Sequence, residues 1–376
     1  MQTKLPKVGT TIFSTMSQLA NQYQAINLSQ GFPNFPIDPL IEELVAKNCR
    51  DNVHQYAPMA GLPSLLEGIA AMIHRVYQRE LNPAAEILVT AGATQGISAA
   101  LQALVHPGDE VVILDPAYDC YSPAVHLAGG KPVHIPMRED FTIDWRELRQ
   151  TVNQKTRLLM INNPHNPSGK MMGREDFEAL VQVLSDHPNL ILLSDEVYEF
   201  ITFEKPHFSA HHHEILRNRS VIVSSFGKTF HLTGWKVGYL VAPEFIMKEI
   251  KKVHQFQVFS VNSLAQKTLA DYISTTDVTT LGGFYRDKRD RFRELMTTSK
   301  FEFLPSEGTY FQTVRYHALS DLPDVAFCEW LVKEIGVAAI PLSVFYEDLT
   351  DYHTIRFCFA KTDETLTQAA ERLCRI

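Results

Sequence analysis

Five short apolar runs constrain the fold of this chain more than any other feature of its sequence. They lie in EILVT (86–90), EVVIL (110–114), RLLMI (157–161), LILLS (190–194) and SVIVS (220–224). Each run is followed by a polar cluster and then by residues with helical periodicity. Strands that are apolar on both faces and alternate with helices are typical of a mainly parallel sheet covered by helices. The runs therefore predict an α/β fold.

The segments that follow these runs place reactive side chains at one edge of the predicted sheet. They read AGATQG, DPAYDCY, NNPHNPSGK, DEVYEF and SFGKTFHLTGWKVGY. In open α/β sheets, ligands bind outside the carboxyl ends of the strands. We therefore expect glycine-rich turns, an aromatic ring, an asparagine, a carboxylate and a lysine to surround one ligand site.

The chain changes character after about residue 280. RDKRDRFRELM predicts a charged amphipathic helix, and VAFCEWLVKEIG predicts a helix that ends at Gly336. FEFLPSEGTYFQTVRY and TIRFCFAK predict strands of alternating pattern. We therefore predict a large ligand-binding domain over 41–280, and a smaller α+β domain formed by 281–376 together with an N-terminal arm, 1–40.

Composition excludes several classes of function for this 376-residue chain. A net charge of −8 without a Lys/Arg block argues against nucleic acid as a partner. No apolar run approaches the ~20 residues of a membrane helix, and the first residues lack the apolar core of a signal peptide. The five cysteines are scattered and never spaced C-x-x-C, which argues against a disulfide framework or a structural zinc site. We expect a cytoplasmic protein.

Gly227-Lys228-Thr229 resembles the end of a nucleotide-binding P-loop, but the surrounding residues do not support that interpretation. The motif requires a glycine five positions before Gly227, and Ile222 stands there, inside an apolar run. A dinucleotide site is also excluded, since no G-x-G-x-x-G follows any of the runs. A lysine at a strand end near a carboxylate can instead form a Schiff base. Pyridoxal phosphate requires such a lysine, a carboxylate for its pyridine nitrogen and a phosphate site.

Five motifs together resemble the class I/II aminotransferases, which are fold-type I pyridoxal-phosphate enzymes. The motifs are SSFGKTFHLTGWKVGY, NNPHNPSG, SDEVYEF, AGATQG and IRFCF, and the likeness extends from GFPNFP near the N-terminus to IRFCF near the C-terminus. The sequence is most similar to the kynurenine and glutamine aminotransferase branch and to bacterial methionine aminotransferases. The resemblance implies a large domain with a mainly parallel sheet and a smaller α+β domain.

The resemblance also implies a role for individual residues around pyridoxal 5′-phosphate. Lys228 would be the Schiff-base lysine and the catalytic base, and Asp195 would keep the pyridine nitrogen protonated. The other cofactor-binding residues would be Ala93, Thr94, Ser225 and Lys236 at the phosphate, Tyr118 on the ring, and Asn166 and Tyr198 at O3′. Many family members have arginine at the position of Lys236. Without the motifs, Asp195 could equally be a helix N-cap. The alternatives for Asn166 and Tyr118 are a turn residue and a core aromatic.

Arg356, within TIRFCF, is implied to bind the substrate carboxylate, with Asn166, Gly31 and Phe32 beside it. A guanidinium in an apolar strand requires a partner, so a structural salt bridge is the alternative. An aromatic wall of Phe32, Phe35, Tyr56, Phe345 and Tyr346 would suit an uncharged or aromatic substrate side chain, and the alternative is that these rings belong to the core.

Two further interpretations concern the surface of the protein. Tyr56 resembles the tyrosine that enters the cofactor site of a neighbouring subunit, which implies a homodimer with composite sites. The run His211-His212-His213 suggests a metal site, but consecutive residues rarely bind one ion and no further ligand stands at suitable spacing. We expect a solvated loop there and no metal.

The resemblance implies ping-pong transfer of an amino group from an amino acid to a 2-oxo acid, with methionine as the expected donor. One alternative is a kynurenine/glutamine-type aminotransferase with cysteine-conjugate C–S β-lyase activity. Another is a non-catalytic effector-binding module of a transcription regulator, which the lack of length for a DNA-binding domain before the first motif disfavours. Neither membrane nor nucleic acid is expected as a partner.

Overall fold

A computed structural model describes residues 3–6 and 8–376, so Met1, Gln2 and Lys7 of the predicted N-terminal arm lie outside it. The strands are β1 (Ile26–Asn27), β2 (Ile87–Thr90), β3 (Glu110–Asp115), β4 (Lys131–Pro136), β5 (Thr156–Asn162), β6 (Ile191–Asp195), β7 (Ser220–Ser225), β8 (Gly238–Val241), β9 (Glu302–Phe303), β10 (Phe311–Arg315), β11 (Val337–Ala338), β12 (Ile340–Pro341) and β13 (Thr354–Cys358).

The α-helices separate these strands along most of the chain. They are α1 (Ile12–Gln22), α2 (Pro39–Arg50), α3 (Pro63–Tyr77), α4 (Pro83–Glu86), α5 (Ala93–Leu104), α6 (Tyr121–Leu127), α7 (Trp145–Thr151), α8 (Arg174–Asp186), α9 (Glu214–Arg219), α10 (Phe226–Thr229), α11 (Glu244–Gln257), α12 (Ser263–Ile273), α13 (Leu281–Leu295), α14 (Asp324–Trp330) and α15 (Asp363–Leu373).

The largest sheet in the described part of the chain has the strand order β2-β8-β7-β6-β5-β3-β4. Strands β3 to β7 pair in parallel, whereas β8 is antiparallel to both β2 and β7. All five runs predicted as strands are found here, and the mainly parallel α/β fold is confirmed. Because β2 and β7 both run opposite to β8, the five predicted strands end at the same edge of the sheet.

Burial on both faces explains why these strands lack alternation. Every residue of β2, β6 and β7 is buried, because helices cover both sides of the sheet. Helix α5 packs against α11, and α12 packs against α2 and α3. Strands β4 and β8 were not predicted, since KPVHIP is polar and only four residues of TGWKVGYLV form β8.

A second, antiparallel sheet has the order β12-β13-β10-β9. The predicted strands are therefore present, but the alternating pattern expected for them is wrong, because all five residues of β13 and the first four of β10 are buried. The predicted helix before Gly336 begins as α14 and continues as a π-helical segment over Leu331–Ile335. Gly336 ends it with φ 75°, in the left-handed region that favours glycine.

The N-terminal segment contributes β1, which pairs in parallel with β11 to form a two-stranded sheet. Cys358 N in β13 also donates a hydrogen bond to Leu28 O, one residue beyond β1. Over residues 3–6 and 8–376, none of the helices combines the length and the apolar character needed to cross a lipid bilayer.

Candidate active site

A cavity with an empty volume of about 710 Å³ opens at the carboxyl ends of β2, β3, β5, β6 and β7. Nine of the ten residues predicted to bind the cofactor line it, and Tyr56 is the exception. The lining residues are Gly92, Ala93, Thr94, Ile97, Tyr118, Tyr121, Asn162, Asn166, Asp195, Val197, Tyr198, Ser225, Gly227, Lys228, Thr233 and Lys236. The structure thus brings together the side chains that follow the five predicted strands.

Lys228 lies on α10, the single helical turn that follows β7. Its Nζ donates hydrogen bonds to Tyr310 Oη at 2.7 Å and to Gly31 O at 3.2 Å. Burial lowers the pKa of Lys228 to about 8, and the charges of Arg356 and Lys236 act in the same direction. A partly desolvated amine with a lowered pKa is an effective nucleophile near neutral pH.

Asp195 is the last residue of β6 and is buried at the base of the cavity. Tyr121 donates a hydrogen bond to Asp195 Oδ2 at 2.6 Å, and the backbone N–H of Val197 donates to Oδ1 at 3.3 Å. Burial raises the pKa of Asp195 to about 6, although the positive charge of Lys228 partly opposes this shift. Such a carboxylate is suited to pair with a cationic ring nitrogen.

The amino end of α5 also lines the cavity and is suited to bind an anion. Gly92 precedes the helix with φ 77°, and a Cβ added there would lie 3.2 Å from Lys236 Nζ. The ammonium of Lys236 therefore lies beside the first free N–H groups of a twelve-residue helix, at Ala93 and Thr94. Helix amino ends and lysine side chains both bind phosphate, and the Ser225 hydroxyl lines the same cavity.

The tyrosines of the cavity are fixed by neighbouring rings. Tyr118 meets Tyr121 at a centroid distance of 5.9 Å and an angle of 75°. Tyr198 is buried and meets Tyr310 at 5.3 Å and 87°. These edge-to-face contacts are favourable, and they leave the half-buried Tyr118 side chain lining the cavity.

Arg356 on β13 is 1% exposed and donates hydrogen bonds to Asn166 Oδ1 at 2.6 Å and Ser29 O at 3.2 Å. Its Nε is buried without a hydrogen-bond partner, and its guanidinium lies 3.8 Å above the Phe311 ring. No carboxylate of the described residues lies within 4.0 Å of it. The salt bridge considered as an alternative for Arg356 is therefore absent from this part of the chain. Burial lowers the pKa of Arg356, and the cation remains available to a carboxylate ligand.

Two residues that contact predicted site residues could not be identified from the sequence. Tyr121 bonds to Asp195, and Tyr310 bonds to Lys228 and to Gly31. Tyr121 stands three residues after Tyr118 and is the last residue of DPAYDCY, the segment that follows the second apolar run, and this is the one signal for it in the sequence. Tyr310 precedes β10 in the distant second sheet, and nothing local in EGTYFQ marks it.

Several predicted wall residues lie away from the cavity. Phe345 and Tyr346 are 5% exposed, and Phe345 packs against Phe13 at 5.8 Å, so the core reading applies to both. Phe35 packs edge-on against His231 and Phe284. Sequence alone could not distinguish a buried aromatic from one that faces a ligand.

Phe32 and Tyr56 are exposed to solvent in the single chain. Phe32 is 44% exposed, its carbonyl accepts a hydrogen bond from Lys361 Nζ at 2.8 Å, and its ring lies 4.9 Å from the same ammonium. Tyr56 is 83% exposed and meets Phe259 edge-on at 5.4 Å.

The prediction of a solvated loop is wrong for His211, although His212 and His213 are exposed. His211 is buried in a 3₁₀ turn, its Nδ1 lies 3.0 Å from Arg79 Nη1, and its ring stacks on Tyr77 at 4.9 Å. Burial lowers the pKa of His211 to about 3, so the ring is neutral. Among the residues that the structure describes, no group of three or more His, Cys, Asp or Glu side chains could hold a metal ion.

Comparisons with known proteins agree with this geometry. Residues 23–373 match the family model for aminotransferase class I and II. The chain is 49% identical to the methionine aminotransferase of Escherichia coli (strain K12), over 99% of this chain and 97% of that protein.

A solved Escherichia coli structure with a reported methionine aminotransferase function superposes with a TM-score of 0.97, at 49% identity, covering 100% of this chain and 99% of that one. Kynurenine–oxoglutarate transaminase 3 of Rattus norvegicus is 32% identical over 96% of this chain and 87% of that protein.

Proposed function

The chain belongs to the class I and II aminotransferases, a pyridoxal-phosphate-dependent family, and from this premise we propose that it transfers the amino group of methionine to a 2-oxo acid. Other uncharged and aromatic amino acids are proposed as further donors. Methionine is favoured because the methionine aminotransferase shares 49% identity, against 32% for the kynurenine relative.

The residues of the cavity fit pyridoxal phosphate. An anion site at α5 and Lys236 lies on one side, and a buried carboxylate, Asp195, lies at the base. The half-buried side chain of Lys228 lines the same cavity. This donor set matches a group with a phosphate at one end, a basic ring nitrogen and an aldehyde.

Individual roles follow from these positions. The N–H groups of Ala93 and Thr94, the Ser225 hydroxyl and Lys236 would hold the phosphate. Asp195 would pair with the ring nitrogen, and Tyr121 would hold the Asp195 carboxylate in place through its 2.6 Å hydrogen bond. The remaining contacts would be a stacked Tyr118, with Asn166 and Tyr198 at the ring oxygen.

When bound, the cofactor supplies an electron sink for the bonds at the substrate Cα. The chain supplies the rest. Arg356 binds the α-carboxylate and thereby fixes the orientation of the Cα–H bond. As a neutral amine, Lys228 would take the proton from the substrate Cα and deliver it to C4′ of the cofactor, and its lowered pKa of about 8 favours the neutral form.

The observation that carries the proposal is Arg356, a buried cation with an unpartnered Nε and no carboxylate of the described chain beside it. Burial of an uncompensated charge is costly. A ligand carboxylate would supply the missing partner, and Arg356 is joined through Asn166 to the cavity that contains Lys228.

We also propose a homodimer in the cytoplasm, with Tyr56 of one copy reaching the cavity of the other. A tyrosine that is 83% exposed beside a second exposed ring, Phe259, suits a surface covered by another copy. We further propose the domain division 41–280 against 1–40 with 281–376. The seven-stranded sheet lies within the first range, and β9 to β13 lie within the second.

The proposal is tested with a panel of donors in the presence of a fixed monocarboxylic 2-oxo acid. We expect kcat/KM for methionine to exceed that for kynurenine, and both to exceed that for aspartate. A preference for aspartate would contradict the proposed substrate class. Pyruvate release from a cysteine conjugate without any acceptor would establish the C–S lyase alternative.

A further inference from the structure

Tyr310 forms a closed hydrogen-bonded triangle with the Lys228 amine and the Gly31 carbonyl. Lys228 Nζ donates to Tyr310 Oη at 2.7 Å and to Gly31 O at 3.2 Å, while Tyr310 Oη donates to Gly31 O at 2.6 Å. Tyr310 is fully buried. The amine therefore has two oxygen partners in fixed positions.

The direction of these hydrogen bonds is determined by the number of protons available. A tyrosine hydroxyl has one proton, and that proton is donated to Gly31 O. Tyr310 can therefore only accept from Lys228, and the lone pair of a neutral amine is left free to point away from both oxygens.

Neighbouring groups hold Tyr310 in place. Its ring meets Tyr198 at 5.3 Å, Phe311 at 4.9 Å and Tyr285 at 5.6 Å. Its carbonyl accepts a hydrogen bond from the backbone N–H of Phe359 at 3.0 Å. The hydroxyl is thus a rigid reference point, and it is close enough to interact with the Tyr198 hydroxyl as well.

The position of Tyr310 also relates Lys228 to the substrate carboxylate site. The next residue, Phe311, lies 3.8 Å below the guanidinium of Arg356. Tyr310, just before β10, and Phe311, its first residue, therefore contact the amine and the guanidinium respectively, which fixes the separation of the two groups. No carboxylate of the described residues lies within 4.0 Å of Lys228 Nζ to orient it instead.

We propose that Tyr310 is a positioning residue for the Lys228 amine whenever that amine is not covalently engaged. The inference rests on the proposed function and adds a residue to it. Lys228 would carry a proton from the substrate Cα to C4′ of the cofactor, whereas Tyr310 donates its own proton to Gly31 O. Tyr310 therefore orients the base without taking part in the proton transfer.

The test compares Tyr310→Phe with Tyr285→Phe. Tyr285 is the matched control, because its buried hydroxyl has no hydrogen-bond partner and its ring lies against that of Tyr310. The first readout uses the full chain freed of cofactor. The rate at which it captures added pyridoxal phosphate is followed by absorbance across pH. The second readout is kcat and KM for methionine.

For the unaltered chain, capture should accelerate as pH rises through about 8, because only the neutral amine reacts. In Tyr310→Phe the buried ammonium loses an acceptor, so the midpoint should move to lower pH. We expect kcat to fall roughly 10- to 100-fold, because a misplaced base costs rate, with KM changed less than about twofold. Tyr285→Phe should behave like the unaltered chain in both readouts.

Equal behaviour of the two variants in both readouts would overturn the inference, whether both are normal or both are impaired. Failure of the unaltered chain to capture pyridoxal phosphate would instead contradict the proposed function. The two failures are therefore distinguishable.

Discussion

Arg356 and Asn166 are joined by a 2.6 Å hydrogen bond that connects the four-stranded sheet to the seven-stranded sheet. Arg356 comes from β13 in the antiparallel sheet, and Asn166 follows β5 in the mainly parallel one. The Asn166 backbone N–H in turn donates to Asn162 Oδ1 at 2.7 Å. The proposed substrate site is therefore built across the junction of the sheets, and it is rigidly linked to the proposed cofactor site.

Replacing Arg356 with glutamine should reduce kcat/KM for methionine at least about 100-fold, because a charge-assisted carboxylate contact of roughly 3 kcal/mol is lost. The measurement is steady-state kinetics with methionine and with methioninamide, which has no carboxylate. The unaltered chain should strongly prefer methionine, and the variant should not. If the variant still distinguished the two donors, the substrate carboxylate would bind a residue other than Arg356.

Asp195→Asn should still capture pyridoxal phosphate through Lys228 but turn over methionine about 10²- to 10³-fold more slowly. The reason is that an amide cannot stabilise a protonated ring nitrogen as a carboxylate does. Absorbance measures capture, and product formation measures turnover. Asp144→Asn, at the N-cap of α7 outside the cavity, is the control. Normal turnover by Asp195→Asn would exclude the proposed role.

Lys236→Ala should raise the Kd for pyridoxal phosphate roughly 10- to 100-fold, because the phosphate loses a charged partner. Gly92→Ala should have a similar effect. Its methyl group would lie 3.2 Å from Lys236 Nζ, and φ 77° is strained for alanine. Equilibrium titration by absorbance gives the Kd, with Lys252→Ala on the exposed face of α11 as the control. An unchanged Kd in both variants would show that the phosphate does not bind at the amino end of α5.

Glu199 predicts a specific pH dependence of stability. This buried carboxyl accepts hydrogen bonds from Ser224 Oγ at 2.6 Å and Tyr239 Oη at 3.1 Å. Burial, reinforced by the charge of Glu196, raises the pKa of Glu199 from 4.5 to about 7. The folded state therefore binds a proton that the unfolded state releases, and the resulting stability is present below pH 4.5 and lost as pH rises through 7.

Glu199→Gln removes this titration. The Tm of the variant relative to the unaltered chain should therefore rise between about pH 5 and about pH 8. Glu178→Gln, at an exposed position on α8, should show no such trend. A difference in Tm that is constant across this range would show that Glu199 has the same pKa in both states.

The five main strands could be predicted because burial on both faces makes them continuously apolar. Strand β8 was missed because only four residues, Gly238–Val241, belong to the sheet. The residues just before them, TGWKV, carry the proposed phosphate lysine and were interpreted as part of the ligand site. The alternation expected for TIRFCF failed for the same physical reason that the five runs succeeded, since residues on both faces of β13 are buried.

Residues that act through local motifs were easier to anticipate than residues brought in by tertiary contact. Asp195 ends β6 and Lys228 lies in the helical turn that follows β7, and the motifs around them marked their place. Tyr310 reaches Lys228 from 82 positions away in sequence, and no local pattern indicates that. His211 was misjudged because burial against Tyr77 and Arg79 depends on α3 and the residues that follow it, not on the histidine run itself.

The most direct test of the central claim is the half-reaction. The full chain is loaded with pyridoxal phosphate and its visible absorbance is recorded before and after methionine is added without any 2-oxo acid. We predict loss of the colour of the lysine-bound cofactor, together with release of the 2-oxo acid of methionine in an amount equal to the bound cofactor. Colour that methionine leaves unchanged, with no 2-oxo acid formed, would contradict the account.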